Sequence, residues 1–304
     1  MTEPNSPEYL QRLSTESRKW GDHLAREAAQ EVIAWLDHPT INAHYGARTG
    51  IDGAPWRSGI VRRLGGPAER SMELGCGSGL LSQQLFMLGT TREVEGVDLS
   101  AERVAQAEAR RAEVAAPGRF FVSDVNRVRL EAGRYDLIVS AHSFHHFLDL
   151  EDVMTEVLAG LTPRGLFVLE EYVGPTQFQW TVAQMEIVKG LLALVPERYR
   201  RLSWGALKTE EGRPAPEAVA AESPFESIRS AEIGPLFEHY FDIVHRGNLG
   251  GTIQHLLYNG ILGNFKSDDP EAERLVRAIY EVEDVLIDSK ILPSDFQLLV
   301  GRRP

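Results

Sequence analysis

The run Glu73-Leu74-Gly75-Cys76-Gly77-Ser78-Gly79 constrains this chain more than any other stretch. Residues 71–74 read as a short strand, and Leu80, Leu81, Leu85, Phe86 and Leu88 then recur with helical spacing. A strand that breaks into glycines and restarts as a helix lets backbone approach a ligand closely. Glycine tolerates positive φ there and has no Cβ to collide. The spacing is G-x-G-x-G, distinct from the G-x-G-x-x-G that cradles a pyrophosphate at a helix N-terminus. An ordinary strand-to-helix turn would use the same glycines, so the context has to decide.

A second strand, residues 94–98, ends on Asp98, 25 positions after Glu73. A carboxylate at that tip can accept both hydrogen bonds of a ribose diol. A third, residues 119–123, runs into Asp124, an acceptor suited to an exocyclic adenine amine. Residues 135–140 and 165–170 follow as a fourth and fifth strand, the latter preceded by Thr162-Pro163-Arg164-Gly165. In these features, over residues 57–172, the chain resembles the class I S-adenosylmethionine-dependent methyltransferases. That family carries the same glycine turn, acids ending its second and third strands, and a P-x-G before its fifth. The resemblance implies S-adenosyl-L-methionine as cofactor, held by Glu73, Gly75, Cys76, Gly77, Asp98, Leu99, Asp124, Val125 and Ser140. It also implies an α/β fold: a Rossmann-like, seven-stranded, mostly parallel sheet with helices on both faces.

Strand–helix alternation independently argues for a parallel sheet covered on both faces, with ligands beyond the carboxyl ends of its strands. Helices are expected at residues 101–114 and 151–161, and strands six and seven at 241–245 and 296–300, with a helix at 269–287 between them. In the family the last strand enters antiparallel between its neighbours. Residues 1–15 are polar and expected to fray. Residues 16–36 then read as an amphipathic helix with Trp20, Leu24, Ala28, Val32 and Trp35 near one side. Pro39 ends it. Residues 42–56, with three glycines, read as an ordered loop. The resulting organisation is a helical cap or lid at 1–56, a cofactor-binding core at 57–172, a helical insertion at 173–240 and the rest of the sheet at 241–304. The insertion is longer than connectivity requires. Its aromatic residues suit either an acceptor pocket or its own small core and a dimer interface.

A net charge of −12 argues against a phosphate-backbone partner. The N-P-P-Y signature of amino-directed nucleic-acid methyltransferases is absent. One cysteine, Cys76, excludes a disulfide framework or a cysteine-cluster zinc site; it reads as a small side chain packed under the turn. The N-terminal residues lack a basic start and an apolar stretch, and no apolar run spans a bilayer, so the expectation is a cytoplasmic protein away from membranes.

Methyl transfer from a sulfonium mainly requires alignment of the nucleophile, so a dedicated base is needed only for an acceptor whose proton must leave early. Base candidates follow the fourth strand: His142 at its end, and His145 of the His145-His146 pair. Glu170 and Glu171 are adjacent on a strand and face opposite sides, so at most one should look into the site. Tyr172, Gln177 and Trp180 are the candidate substrate-binding residues. No acid follows the fourth strand before Asp149, which argues against a catechol-type metal mechanism, and no metal is expected. The expected partner is a small-molecule acceptor, methylated on oxygen or nitrogen in the biosynthesis of a secondary metabolite or a sugar-containing intermediate, with a homodimer left open. The alternative is a chain of this fold that binds the cofactor as a scaffold or for a non-methylating reaction. An oxidoreductase that binds a nicotinamide dinucleotide fits less well, given the glycine spacing and Asp124.

Overall fold

The computed structural model describes residues 6–28 and 34–304. Its centre is a seven-stranded sheet: β1 (Ser71–Leu74), β2 (Val94–Asp98), β3 (Gly118–Val122), β4 (Tyr135–Ala141), β5 (Leu161–Tyr172), β6 (Asp242–Gly250) and β7 (Phe296–Arg302). The strand order is β3-β2-β1-β4-β5-β7-β6. Pairings among β1 to β5 are parallel, while β7 lies antiparallel to both β5 and β6. The Rossmann-like expectation and the reversed last strand are therefore both met. Glu73 pairs in register with Gly96 on one side and Val139 on the other. The order reverses between β1 and β4, which opens a crevice at their carboxyl ends where ligands settle in such sheets.

Helices α1 (Pro7–Ala28), α2 (Pro39–Arg48) and α3 (Trp56–Leu64) precede the sheet; α4 (Leu80–Met87), α5 (Ala101–Glu113) and α6 (Leu150–Gly160) connect its first five strands. Between β5 and β6 come α7 (Val182–Leu194), α8 (Pro216–Glu222) and α9 (Ser230–Tyr240), and between β6 and β7 come α10 (Gln254–Tyr258) and α11 (Pro270–Asp288). Local chemistry sets several starts. Ser100 caps α5 through the Arg103 N–H, Thr181 and Gln184 form a capping box on α7, and Asp269 caps α11 ahead of Pro270.

The N-terminal segment departs from the sequence expectation. The first helix begins at Pro7, within the stretch expected to fray, because Tyr9 is buried and its hydroxyl donates to Asp124 at 2.6 Å. Trp35 belongs to a separate short turn, Trp35–Asp37; Val32 and the side chains of Leu24 and Ala28 lie outside the described residues. Residues 42–56 are not a loop. Its first half belongs to α2, which buries Ile41 and Tyr45 one turn apart, and a short hairpin, Gly50–Ile51 paired with Ala54–Pro55, then leads directly into α3 at Trp56. Of the three glycines that suggested a loop, Gly46 sits inside the helix with open space around it, and only Gly53 takes a left-handed φ, at +79°. Among the described residues no helix is long and apolar enough to cross a membrane.

Candidate active site

The glycine turn closes β1 onto α4 under tight steric limits. Gly75 has φ +69°, and a Cβ there would lie 2.5 Å from Ser143 Oγ. At Gly79, φ +73°, a Cβ would sit 2.8 Å from that of Ala107 on α5. Both positions demand glycine on two counts, left-handed backbone and contact distance. Glu73, buried at the end of β1, accepts from the Ser82 N–H at 3.1 Å and the Ser82 hydroxyl at 2.5 Å, tying strand to helix. Burial outweighs those bonds and pushes the Glu73 carboxyl up to about 7. Asp98, at the tip of β2, accepts from the Gly77 N–H at 2.8 Å and the Ser100 N–H at 2.9 Å. Cys76 is buried beside Phe120, and burial raises its thiol well above the ordinary range, which keeps it un-ionised and inert.

Above this turn lies a cavity of about 500 Å³. Glu73, Gly75, Cys76, Gly77, Asp98 and Leu99 line one side, and Asp124, Val125 and Asn126 the next. Ser140 does not reach it; its hydroxyl donates to the Leu74 carbonyl at 2.9 Å and pairs with Ser143 beneath the turn. Asp124 is already engaged, by the Tyr9 hydroxyl on one oxygen and by the Asn126 backbone and side-chain amides on the other. A purine amine would share that carboxylate with α1. The same helix contributes Leu13, Glu16 and Trp20 to the wall, and Phe225 comes from the segment between β5 and β6.

His142 and Arg57 line the same cavity. His142 follows β4 in a left-handed conformation, φ +52°, a strained setting for a non-glycine residue. Its Nε2 lies 3.6 Å from Glu170 Oε1, while Glu170 Oε2 accepts from Trp56 Nε1 at 2.5 Å and meets Arg57 Nη2 at 3.1 Å. Burial alone would raise Glu170; the neighbouring His142, the Arg57 charge and the Trp56 donor overcome it and hold the carboxyl at about 2. Glu171, on the other face of the strand, accepts from the Ser143 and Phe144 N–H groups and from His145 Nδ1. Neither acid lines the cavity.

His145 sits behind the wall. Burial would depress its pKa, but the contacts with Glu171 and Glu226 lift it to about 10. His146, which reaches the cavity, places Nδ1 3.0 Å from Glu16 Oε1. Glu16 also accepts from Trp20 Nε1 and the Ser223 hydroxyl, joining α1 to the segment after β5.

The residues expected to bind substrate lie elsewhere. Tyr172 donates to the Pro175 carbonyl, Gln177 occupies a left-handed turn at φ +49°, and Trp180 stacks on Phe178 with ring centres 5.5 Å apart. None lines the cavity, and Tyr172 and Trp180 belong to the apolar core that also holds His255 and Phe296 nearby. Their aromatic character was spent on packing. Sequence reasoning instead missed Tyr9, Leu13, Glu16, Trp20 and Arg57; the apolar spacing around Tyr9 and Leu13 was the available signal.

Residues 72–169 match the family model described as methyltransferase domain. Together with the strand order and the glycine turn, that match makes this segment a domain of the class I S-adenosylmethionine-dependent methyltransferases, whose cofactor is S-adenosylmethionine. The chain is similar to the ubiquinone biosynthesis O-methyltransferase of Methylobacterium nodulans, 32% identical over 97 residues, covering 32% of this chain and 38% of that one. It is also similar to ribosomal RNA small subunit methyltransferase C of Vibrio vulnificus, 27% identical over 157 residues, covering 48% and 45% respectively. The match thus spans less than half the length of either curated relative. Among solved structures, phosphoethanolamine N-methyltransferase 2 of Haemonchus contortus, in complex with S-adenosyl-L-methionine, aligns with a TM-score of 0.50 at 16% identity. That alignment covers 90% of this chain and 60% of the other, and the likeness concerns the fold alone.

Proposed function

We propose that this chain is an S-adenosylmethionine-dependent methyltransferase acting on oxygen or nitrogen of a small-molecule acceptor, with His142 as the proton-accepting group. One observation carries the reading: a single cavity of about 500 Å³ is lined by the glycine turn and Asp98 together with His142. Its residues fit the cofactor. The turn presents glycine backbone to the cavity, Asp98 keeps outward lone pairs beyond the two it gives to N–H groups, and Asp124 lies one strand further along. Asp98 would hold the ribose diol, Asp124 the adenine amine, and Arg57 is the cation placed to meet a carboxylate. Bound there, the sulfonium supplies an activated methyl group and its own leaving group.

The chain itself supplies orientation and a route for the proton. His142 reaches the cavity while Glu170, held ionised, steadies the ring from behind and stabilises the imidazolium formed when a proton arrives. The acceptor approaches between His142, Phe147 and the apolar wall of Leu13 and Phe225. The cavity's volume of about 500 Å³ and the net charge of −12 support a small molecule over a nucleic acid. A cytoplasmic, biosynthetic setting belongs to the same proposal.

Incubation with S-adenosylmethionine and a panel of phenols, carboxylic acids and amines, read by mass spectrometry, tests the reading. The expected product gains one CH2 as S-adenosylhomocysteine accumulates. His142→Gln should lower kcat by about 10²–10⁴-fold while cofactor Kd stays within about twofold. Cofactor binding with no methylated product across the panel would favour the scaffold or a non-methylating reaction.

A further inference from the structure

At the cavity wall, where His146 faces the cavity and His145 sits behind it, two imidazoles and one carboxylate converge from different parts of the chain. His145 Nε2 lies 3.5 Å from Glu226 Oε1, and His146 Nε2 lies 3.8 Å from Glu226 Oε2. One donor atom from each of the three side chains falls within 4.8 Å of the others. The far nitrogens are engaged separately: His145 Nδ1 is 2.5 Å from Glu171 Oε1, and His146 Nδ1 is 3.0 Å from Glu16 Oε1. We propose that His145, His146 and Glu226 form a binding site for a divalent transition-metal ion of the zinc class, which staples the segment after β5 to the turn after β4.

Two independent features point to an ion. The first is the asymmetry of the contacts. Charge-assisted hydrogen bonds close to about 2.7–2.9 Å, as the Nδ1 contacts nearly do, yet both Nε2 contacts stay open. Tetrahedral coordination with bonds of about 2.0–2.2 Å sets donor atoms about 3.4 Å apart; each Nε2 lies 3.5 or 3.8 Å from one of the two Glu226 oxygens, so a small turn of the carboxylate would present one oxygen to both. The second is the outer ring of acids. A carboxylate bonded to Nδ1, as Glu171 is to His145, fixes the tautomer in which Nε2 offers its lone pair, which is the usual support of a metal-ligating histidine; beside His146 Nδ1, Glu16 stands as a neighbouring charge at 3.0 Å.

Charge and donor type agree with this. Glu16, Glu171 and Glu226 face the pair of histidines, and among the described residues the cation paired with this group is Lys19, 3.5 Å from Glu226 Oε2. With both imidazoles neutral, as ligation requires, this group carries two uncompensated negative charges, which one dication neutralises. A nitrogen-rich set with a single carboxylate suits zinc better than magnesium or calcium. Three protein ligands leave a fourth position for water. The competing state is the same cluster closed by protons on both imidazoles. The site departs from the sequence expectation of no metal because Glu226 lies 80 residues from His146 and no ligand spacing announces it.

The full chain, stripped with a chelator, is titrated with Zn²⁺ by calorimetry and with Co²⁺ by visible absorption. The expected result is one saturable equivalent with micromolar or tighter Kd, the intense ligand-field bands of a four-coordinate cobalt ion, and a rise in Tm. Glu226→Gln and His146→Gln should each weaken binding at least tenfold and remove the Tm rise. Absence of saturable binding, or equal affinity in both folded variants, would overturn the site and leave a proton-closed cluster. If a variant does not fold, X-ray absorption of the zinc-loaded wild type decides: two imidazoles at the metal support the site, and fewer refute it. Calorimetry of S-adenosylhomocysteine on the stripped chain keeps this outcome separate from the proposed methyl transfer.

Discussion

Asp98→Asn separates two jobs that the structure gives to one carboxylate. Both oxygens of Asp98 accept backbone N–H groups, from Gly77 at 2.8 Å and Ser100 at 2.9 Å. Asparagine keeps the shape but offers one acceptor, so an NH2 must face one of those donors. Losing one hydrogen bond to a charged acceptor removes about 1.5–3 kcal/mol, and the cofactor-free variant should lose unfolding free energy in that range. The ribose diol would use the outward lone pairs of the same group. Turning two charge-assisted bonds into neutral ones costs about 1 to 1.5 kcal/mol each, which together is about 30–150-fold in Kd. Urea unfolding followed by circular dichroism measures the first effect, and calorimetry with S-adenosylhomocysteine measures the second. A variant that is destabilised yet binds within threefold of wild type would show that Asp98 builds the turn and does not hold the ribose. Unchanged stability would refute the account of the turn itself.

Gly79→Ala should destabilise by about 2–4 kcal/mol, combining left-handed strain of about 1 kcal/mol with overpacking of about 1–3 kcal/mol against Ala107; a urea midpoint unmoved from wild type would refute the close approach of α4 and α5. Glu73 has a folded pKa of about 7 against an ordinary 4.5, so its favourable contribution is complete below pH 4.5 and is lost as pH rises through 7. Relative to Glu73→Gln, cofactor-free wild type should therefore lose on the order of 3 kcal/mol between those limits, and a flat difference in urea unfolding across that range would contradict it. Trp180→Ala should cost about 3–5 kcal/mol of stability and leave cofactor affinity within about twofold, because the ring is buried in the core away from the cavity; a stable variant with weakened turnover would return Trp180 to the acceptor pocket.

The cofactor end of this protein was legible in the sequence because its constraints are local. The left-handed backbone of Gly75 and Gly79 is set within one turn, although their close contacts with Ser143 and Ala107 are tertiary, and Asp98 ends the strand whose register places it beside Gly77. Strand alternation likewise implied the parallel sheet, while the order of β1 to β5 is known from the structure. The reversed β7 came from family resemblance, since periodicity alone does not say which neighbours a last strand will choose.

What the sequence did not reveal depends on residues far apart in the chain. Tyr9 reads as part of a polar tail until its hydroxyl meets Asp124, 115 residues away. Glu16 looks like any acid on an amphipathic helix, yet it is buried against His146 and Ser223. Aromatic content marked the segment after β5 as a pocket, but Tyr172 and Trp180 turn into the core, and Phe225 alone of the insertion's aromatic residues lines the cavity. Composition reports how much apolar and acidic surface must be covered. Only the packing of α1 and the segment after β5 over the sheet decides which of those groups lose water and which remain facing the cavity, because burial and pairing are properties of the assembled surface.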